Sequence, residues 1–351
     1  MKHLPLVLLV SFVQCLVLVS AIAIPPEQTR ASTPPHEPLV AASSSLNSQQ
    51  ESNPLFLVKQ NGLYGYMEAT GTLVIEPQFD VASSFSEGLA VVVKNNLYGY
   101  INLAGQMIVE PQFNWAYNFS EGRAEVGRDG KSGFIDRQGN LVVSPQFENA
   151  SRFSEGLAAV KSGDRWGYIN TSGKMIISSQ FDKALPFSNE LAAVLVADKW
   201  GYINKAGKMA IPPQFNEAGG FSNGLAAVRV GDKWGYIDTN GTLQIQPQFD
   251  RALNFSEKLA AVLVGDKWGY IDTNGTLQIP PQFEQAGNFS QGLAVIGIRG
   301  KYGYVDSKGA IAIPPQFDQA FDFDKGLATV RIGDQYGYID FSGKYVWTPS
   351  R

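Results

Sequence analysis

Val230-Gly231-Asp232-Lys233-Trp234-Gly235-Tyr236-Ile237-Asp238-Thr239-Asn240-Gly241-Thr242-Leu243-Gln244-Ile245 returns residue for residue as 264–279, 34 positions on. Identity over such a run marks a duplicated unit, and the unit is not confined to two copies. Tyr64-Gly65, Tyr98-Gly99, Ser132-Gly133, Trp166-Gly167, Trp200-Gly201, Trp234-Gly235, Trp268-Gly269, Tyr302-Gly303 and Tyr336-Gly337 follow at the same 34-residue spacing, without insertion or deletion. A strict period of this size signals a repeat architecture, in which each unit buries its apolar face against its neighbours.

Helical repeats share this period, so the residues must decide the type. Gly201, Gly207, Pro212, Pro213 and Gly220 crowd into about twenty positions and leave no helical stripe. The unit reads instead as strands. Leu225 to Val230 is β-prone, Gly231-Asp232-Lys233 a turn, and Trp234 to Asp238 a second strand whose glycine suggests a close backbone or ring contact. Thr239-Asn240-Gly241 is a second turn, followed by a short third strand, Thr242 to Ile245, stopped by Pro247.

These residues resemble the WG repeat family of β-repeats. The resemblance rests on Asp232 to Asp238, Gly241, Pro247-Gln248-Phe249-Asp250 and Phe255-Ser256-Glu257 leading into Leu259 to Val262, and it covers residues 56–347. It implies a β-repeat protein and says little about activity. Departures are local: Ser132 replaces the ring in the third unit, Ser179 a proline in the fourth, and Glu190 and Lys258 the loop glycine.

Three strands in 34 residues, with both termini falling between units, lead to an all-β expectation: about nine three-strand meanders at 55–351 in an open solenoid or superhelix. A small-bladed β-propeller is the alternative, although blades of four strands usually take 40 or more residues.

The first residues have another character. Lys2, the apolar run Leu4 to Ile24 and Ser20-Ala21-Ile22-Ala23 read as a signal peptide over 1–23. The alternative is a membrane anchor formed by residues 4–24. Cys15 sits within this run as one of its apolar residues. Residues 24–54, rich in Pro, Ser and Gln, read as a flexible linker. Secretion, a periplasmic place or the cell surface follows from that reading.

Composition narrows the chemistry. The net charge of −4 gives no basic footprint for nucleic acid. Beyond His36 there is neither cysteine nor histidine, which excludes disulfides, Cys/His zinc sites and Ser-His-Asp or Cys-His catalysis from the body. No cofactor is expected. The Asp238-Thr239-Asn240-Gly241 turn lacks the ligand spacing and closing glutamate of an EF-hand calcium loop. Carboxylates such as Asp80 and Glu87 recur at similar places in most units, whereas catalysis would single out one unit.

The candidate ligand contacts are aromatic: Trp166, Trp200, Trp234 and Trp268 within the motif, and Trp115, Tyr117 and Phe321 at positions that vary between units, as Arg152, Lys183 and Arg251 also do. Against these stands a structural role for Gly201, Gln214, Phe215, Gly235, Gln248, Phe249 and Phe255, with the rings stacking into the core and the glutamines bonding backbone groups beside proline. The expected function is an exported, non-catalytic surface for an envelope polymer or protein. A carboxylate-dependent glycan hydrolase and a structural spacer are the alternatives.

Overall fold

The computed structural model describes residues 54–350. The expected signal peptide and nearly all of the linker lie outside the described residues. What is described consists of nine antiparallel sheets, one per repeat, here called blades. Blade 1 has three strands, β1 (Leu55–Gln60), β2 (Leu63–Glu68) and β3 (Leu73–Phe79). Blades 2 to 9 have four each. Blade 3, for example, comprises β8 (Trp115–Ala116), β9 (Ala124–Arg128), β10 (Lys131–Ile135) and β11 (Leu141–Phe147). Blade 6 comprises β20 (Glu217–Ala218), β21 (Ala226–Val230), β22 (Lys233–Ile237) and β23 (Leu243–Phe249).

Blade 6 explains why this sequence folds this way. A tight hairpin at Gly231-Asp232 joins β21 to β22, with Gly231 in the left-handed region at φ 60°. The next turn is held by the Asp238 carboxylate, which accepts from the N–H groups of Asn240 and Thr242, both at 2.9 Å. Its burial is slight, and these bonds outweigh it to hold the Asp238 pKa below the usual carboxylate value. This carboxylate is thereby committed to the turn.

The third strand does not stop at the proline. β23 runs through Pro247 to Phe249, because a bulge opposite Gly235 moves the register from Tyr236↔Ile245 to Trp234↔Phe249. The proline lies where the ladder asks for no N–H. Gly235 is required there: a Cβ would come 2.5 Å from the Ile245 carbonyl oxygen and 2.7 Å from the Pro247 nitrogen. A Cβ at Gly201 would meet Ile211 and Pro213 in the same way, at 2.6 and 2.7 Å.

Two expectations are corrected. The blades are four-stranded, since β24 (Arg251–Ala252), only two residues long, pairs with Leu263 and Val262 as the first strand of blade 7. The single residue Asp250 separates it from β23, so the fourth strand costs almost no sequence and 34 residues suffice. The array is also closed, a nine-bladed β-propeller and not an open solenoid or superhelix of three-strand meanders. The Tyr338 hydroxyl of blade 9 donates to the Leu57 carbonyl of blade 1 at 2.7 Å, and the Phe56 and Tyr338 rings meet edge to face at 5.6 Å. Phe56, Val58, Met67 and Leu327 form one buried cluster there, with Val346 and Trp347 packed on it. Termini that fall between units are compatible with closure when β1 itself supplies the ring and the carbonyl.

Elsewhere one joint recurs. In blade 6, Leu225, Ala227, Tyr236, Ile245 and Phe249 pack on Phe255, Ala260, Val262 and Ile271 of blade 7. The Tyr236 ring tilts against Phe255 at 4.8 Å, and its hydroxyl donates to the Leu253 carbonyl at 2.7 Å. Ser222 Oγ donates to the Phe255 carbonyl at 2.7 Å, a bond with counterparts from Ser86 to Ser290. Complete burial drives the Tyr236 pKa far upward, so this hydroxyl remains a donor across the physiological range. Within each joint core the phenylalanines are therefore structural, as Phe215, Phe249 and Phe255 illustrate at 2–4% exposure.

Candidate functional site

The strand ends fall on two faces. One carries the Gly-Asp hairpins, the other the Ser-Glu-Gly loops and the Asp-held turns. At the first residues of the third strand, near the hairpin face, Trp166, Trp200, Trp234 and Trp268 occupy consecutive blades 4 to 7. All four are half-buried. Each lies across the bulge from a buried phenylalanine, as Trp234 does from Phe249. The indoles thus form an arc of partly exposed rings, at a radius set by the strands and a spacing set by the blades. Charges flank the arc. Lys233 Nζ sits 2.6 Å from the Asp250 carboxylate, and Arg165 pairs with Asp182. The hydrogen bond from Lys233 holds the Asp250 carboxyl below its ordinary pKa.

The variable candidates do not gather into one site. Tyr117 is 48% exposed, and its carbonyl accepts the Tyr100 hydroxyl at 2.8 Å. Phe321, half-buried in blade 9, has the same backbone role toward Tyr304, also at 2.8 Å. Arg152, Lys183 and Arg251 are exposed on separate blades. Gln214 and Gln248 are exposed, and the expected bond from this glutamine to backbone occurs at Gln78 and Gln146, both 3.3 Å from the carbonyl two residues earlier.

Trp115 leads to the feature that reading by motif passed over. Its indole lies flat on Gly127, where a Cβ would fall 1.8 Å from the ring. It fills the volume that Ser132 leaves by replacing the motif ring. Next to it stands Glu125, 8% exposed, where the corresponding residues Ala159, Ala193, Ala227 and Ala261 are small and apolar. Ser132 Oγ donates to its carboxylate at 2.6 Å, and Trp115 is its second side-chain hydrogen-bond partner. Burial raises the Glu125 pKa to about 7, against the lowering effect of those two bonds. The signal was present in the sequence as one carboxylate in a column otherwise made of Leu57, Val91, four alanines, Val295 and Thr329.

Comparison with known proteins adds to this geometry. The WG containing repeat matches at 64–98, 98–131, 133–166, 166–200, 200–234, 234–268, 268–302 and 302–336. The chain belongs to the WG containing repeat family. No curated protein matches it. Among solved structures, the WG repeat ring is similar to one described as the eukaryotic initiation factor, at 13% identity and a TM-score of 0.63, covering 84% of this chain and 94% of that one. Dihydro-heme d1 dehydrogenase NirN in complex with DHE aligns at 13% identity and a TM-score of 0.47, covering 91% and 81%. Kluyveromyces lactis Hsv2p aligns at 10% and 0.41, covering 64% and 92%. At such identities the first of these likenesses concerns fold alone. Among the described residues of the WG repeat ring, no group of three or more His, Cys, Asp or Glu is placed to hold a metal, and no helix is long and apolar enough to cross a membrane.

Proposed function

We propose that the ring is an exported, non-catalytic binding or scaffolding surface for an envelope polymer or protein. The observation that carries this reading is the indole arc: four half-buried tryptophans on consecutive, near-identical blades. Flat apolar rings with one polar atom suit a partly wet contact. Equivalent weak sites held at fixed spacing gain by avidity on a repeating ligand. Export enters through the reading of residues 1–23, and the linker at 24–54 would hold the ring away from whatever anchors or releases the chain.

A carboxylate-dependent hydrolase is less well supported. Glu125 is the buried carboxylate that singles out one blade, and its side-chain partners are Ser132 and Trp115. Glycoside hydrolysis needs two carboxyl groups facing one cleft.

The test is retention of envelope glycan and envelope protein fractions on immobilised protein. Saturable retention by one fraction is expected, reduced about tenfold or more when two indoles of the arc are replaced (Trp200→Ala with Trp234→Ala) and the ring still melts cooperatively. Absence of retention by either fraction would refute the binding reading.

A further inference from the structure

Blade 3 breaks the repeat at several positions that touch one another. Ser132 stands where the motif has a ring, Trp115 and Gly127 rebuild that volume, Phe134 replaces the tyrosine, and Glu125 replaces a small apolar residue. Ala124, Val126 and Ile135 pack toward blade 2. Side chains alternate along a strand, so Glu125 lies on the opposite side, with Phe134, Val143 and Phe147 against Phe153, Ala158, Val160 and Ile169 of blade 4. The blade 3–blade 4 joint thus holds a carboxyl group where the other joints hold an alkyl group or, in blade 9, the hydroxyl of Thr329.

The surroundings of that carboxyl are uncharged. From its own sheet it meets Ser132 and Trp115, and blade 4 buries Phe153, Ala158, Val160 and Ile169 in this joint, with Arg152 beside them exposed and no charged group acting on the carboxyl. The titratable groups that respond to it are Tyr100 and Tyr117, both held neutral. The cations of the blade are engaged elsewhere. Arg123 donates to the Thr171 and Gly122 carbonyls, Arg128 donates to Gln112 and lies over the Phe113 ring, Lys131 pairs with Glu148, and Arg137 donates to the Glu87 carbonyl. A negative charge at Glu125 therefore has hydrogen bonds but no counter-ion.

We propose that Glu125 makes the blade 3–blade 4 joint a proton-operated seam: the neutral carboxyl keeps it closed, and ionisation loosens it so that this joint opens before the others. When the joint opens, the carboxyl meets water and ionises like any glutamate, so opening releases the proton. Opening then becomes tenfold easier per pH unit between the ordinary value of 4.5 and the folded value of about 7. Above that range the effect is complete.

The experiment is amide hydrogen exchange on the full chain at pH 5.5 and 8.0, corrected for intrinsic exchange. Peptides from 124–135 and 153–169 report the seam, and those from 226–237 and 255–271 report a regular joint in the same molecule. Protection of the seam should fall by about 30-fold relative to the regular joint over that interval, from 1.5 pH units at tenfold each. Glu125→Gln should abolish the fall. If that variant does not fold, Glu125→Ala, which installs the residue of four other blades, takes its place. The infrared carbonyl band lost on substitution should titrate near pH 7. Equal behaviour of seam and regular joint, a fall that survives substitution, or a band titrating near 4.5 would overturn the proposal.

Discussion

Blades 3 and 6 occupy equivalent places in the ring and show two ways of filling one joint. Blade 6 uses an indole at the start of its third strand, a small residue at Ala227 and a tyrosine whose hydroxyl reaches the next blade. Blade 3 moves its indole to Trp115, makes room for it at Gly127 and Ser132, omits the tyrosine hydroxyl and admits Glu125. Backbone pairing is nonetheless the same in both, with the bulge at the same glycine. The difference teaches that the backbone bulge defines this repeat, while the side chains of the joint can be exchanged as a set if volume and polar bonds are kept.

The bulge is where substitution should do most damage. Gly235→Ala sets a Cβ against two backbone atoms that cannot rotate away, and about 4 kcal/mol or more should be lost in urea unfolding. Gly127→Ala in blade 3 meets first a side chain, the Trp115 ring, which can shift where backbone cannot, so a smaller loss of about 1–3 kcal/mol is expected. Equal losses at the two sites would mean that indole seat and bulge matter alike.

Next in size is the pH dependence. The folded Glu125 pKa, at about 7, lies above the unfolded value near 4.5. Its contribution is therefore fully present below 4.5 and is lost as pH rises to 7. The difference in stability between wild type and Glu125→Gln should change by about 3 kcal/mol across that window, the subtraction cancelling every other titration. Thermal melts of the pair at pH 4.5, 6 and 8 check this. Glu125→Ala with Phe134→Tyr, which rewrites the joint toward blade 6, should flatten the curve and raise stability at pH 8.

Smaller effects sharpen the regular joint. Tyr236→Phe deletes the bond to Leu253 and should cost about 1 kcal/mol. The same change in blade 3 is already present naturally as Phe134. Lys258 stands at φ 67° where most blades have glycine, and only its backbone N–H is used, by Asn223. Lys258→Gly should stabilise by about 1 kcal/mol. Glu190→Gly at φ 65° should gain less, because Glu190 also pairs with Lys205. Urea midpoints compared at constant slope measure all three.

Much of this was legible in the residues. The period, the hairpin at Gly231, the turn at Gly241 and the tight approach at Gly235 all follow from local chemistry, which acts over a few residues. The fourth strand was not legible, because Arg251-Ala252 is too short to carry a period and is defined only by its partners in β25 (Leu259–Val264). Closure was hidden for a similar reason. It depends on the accumulated turn between blades and on a bond between residues 57 and 338, which no local pattern records. Of the candidate contacts, the four motif indoles form one arc, whereas Trp115 belongs to the packing of its own joint. Glu125 lies outside the recurring motif, and its meaning comes only from the uncharged residues at the equivalent position of every other blade.

Closure is the claim on which the joint comparison rests, and one distance decides it. Spin labels at Leu63→Cys and Gln335→Cys, in a Cys15→Ser background, stand on β2 of blade 1 and at the equivalent position of blade 9. Labels at Lys199→Cys and Lys233→Cys mark the same position on the neighbouring blades 5 and 6. A closed ring predicts the same inter-label distance for both pairs by pulsed dipolar spectroscopy. A longer distance for the 63/335 pair than for the 199/233 pair, as in an open array with its ends furthest apart, would contradict it.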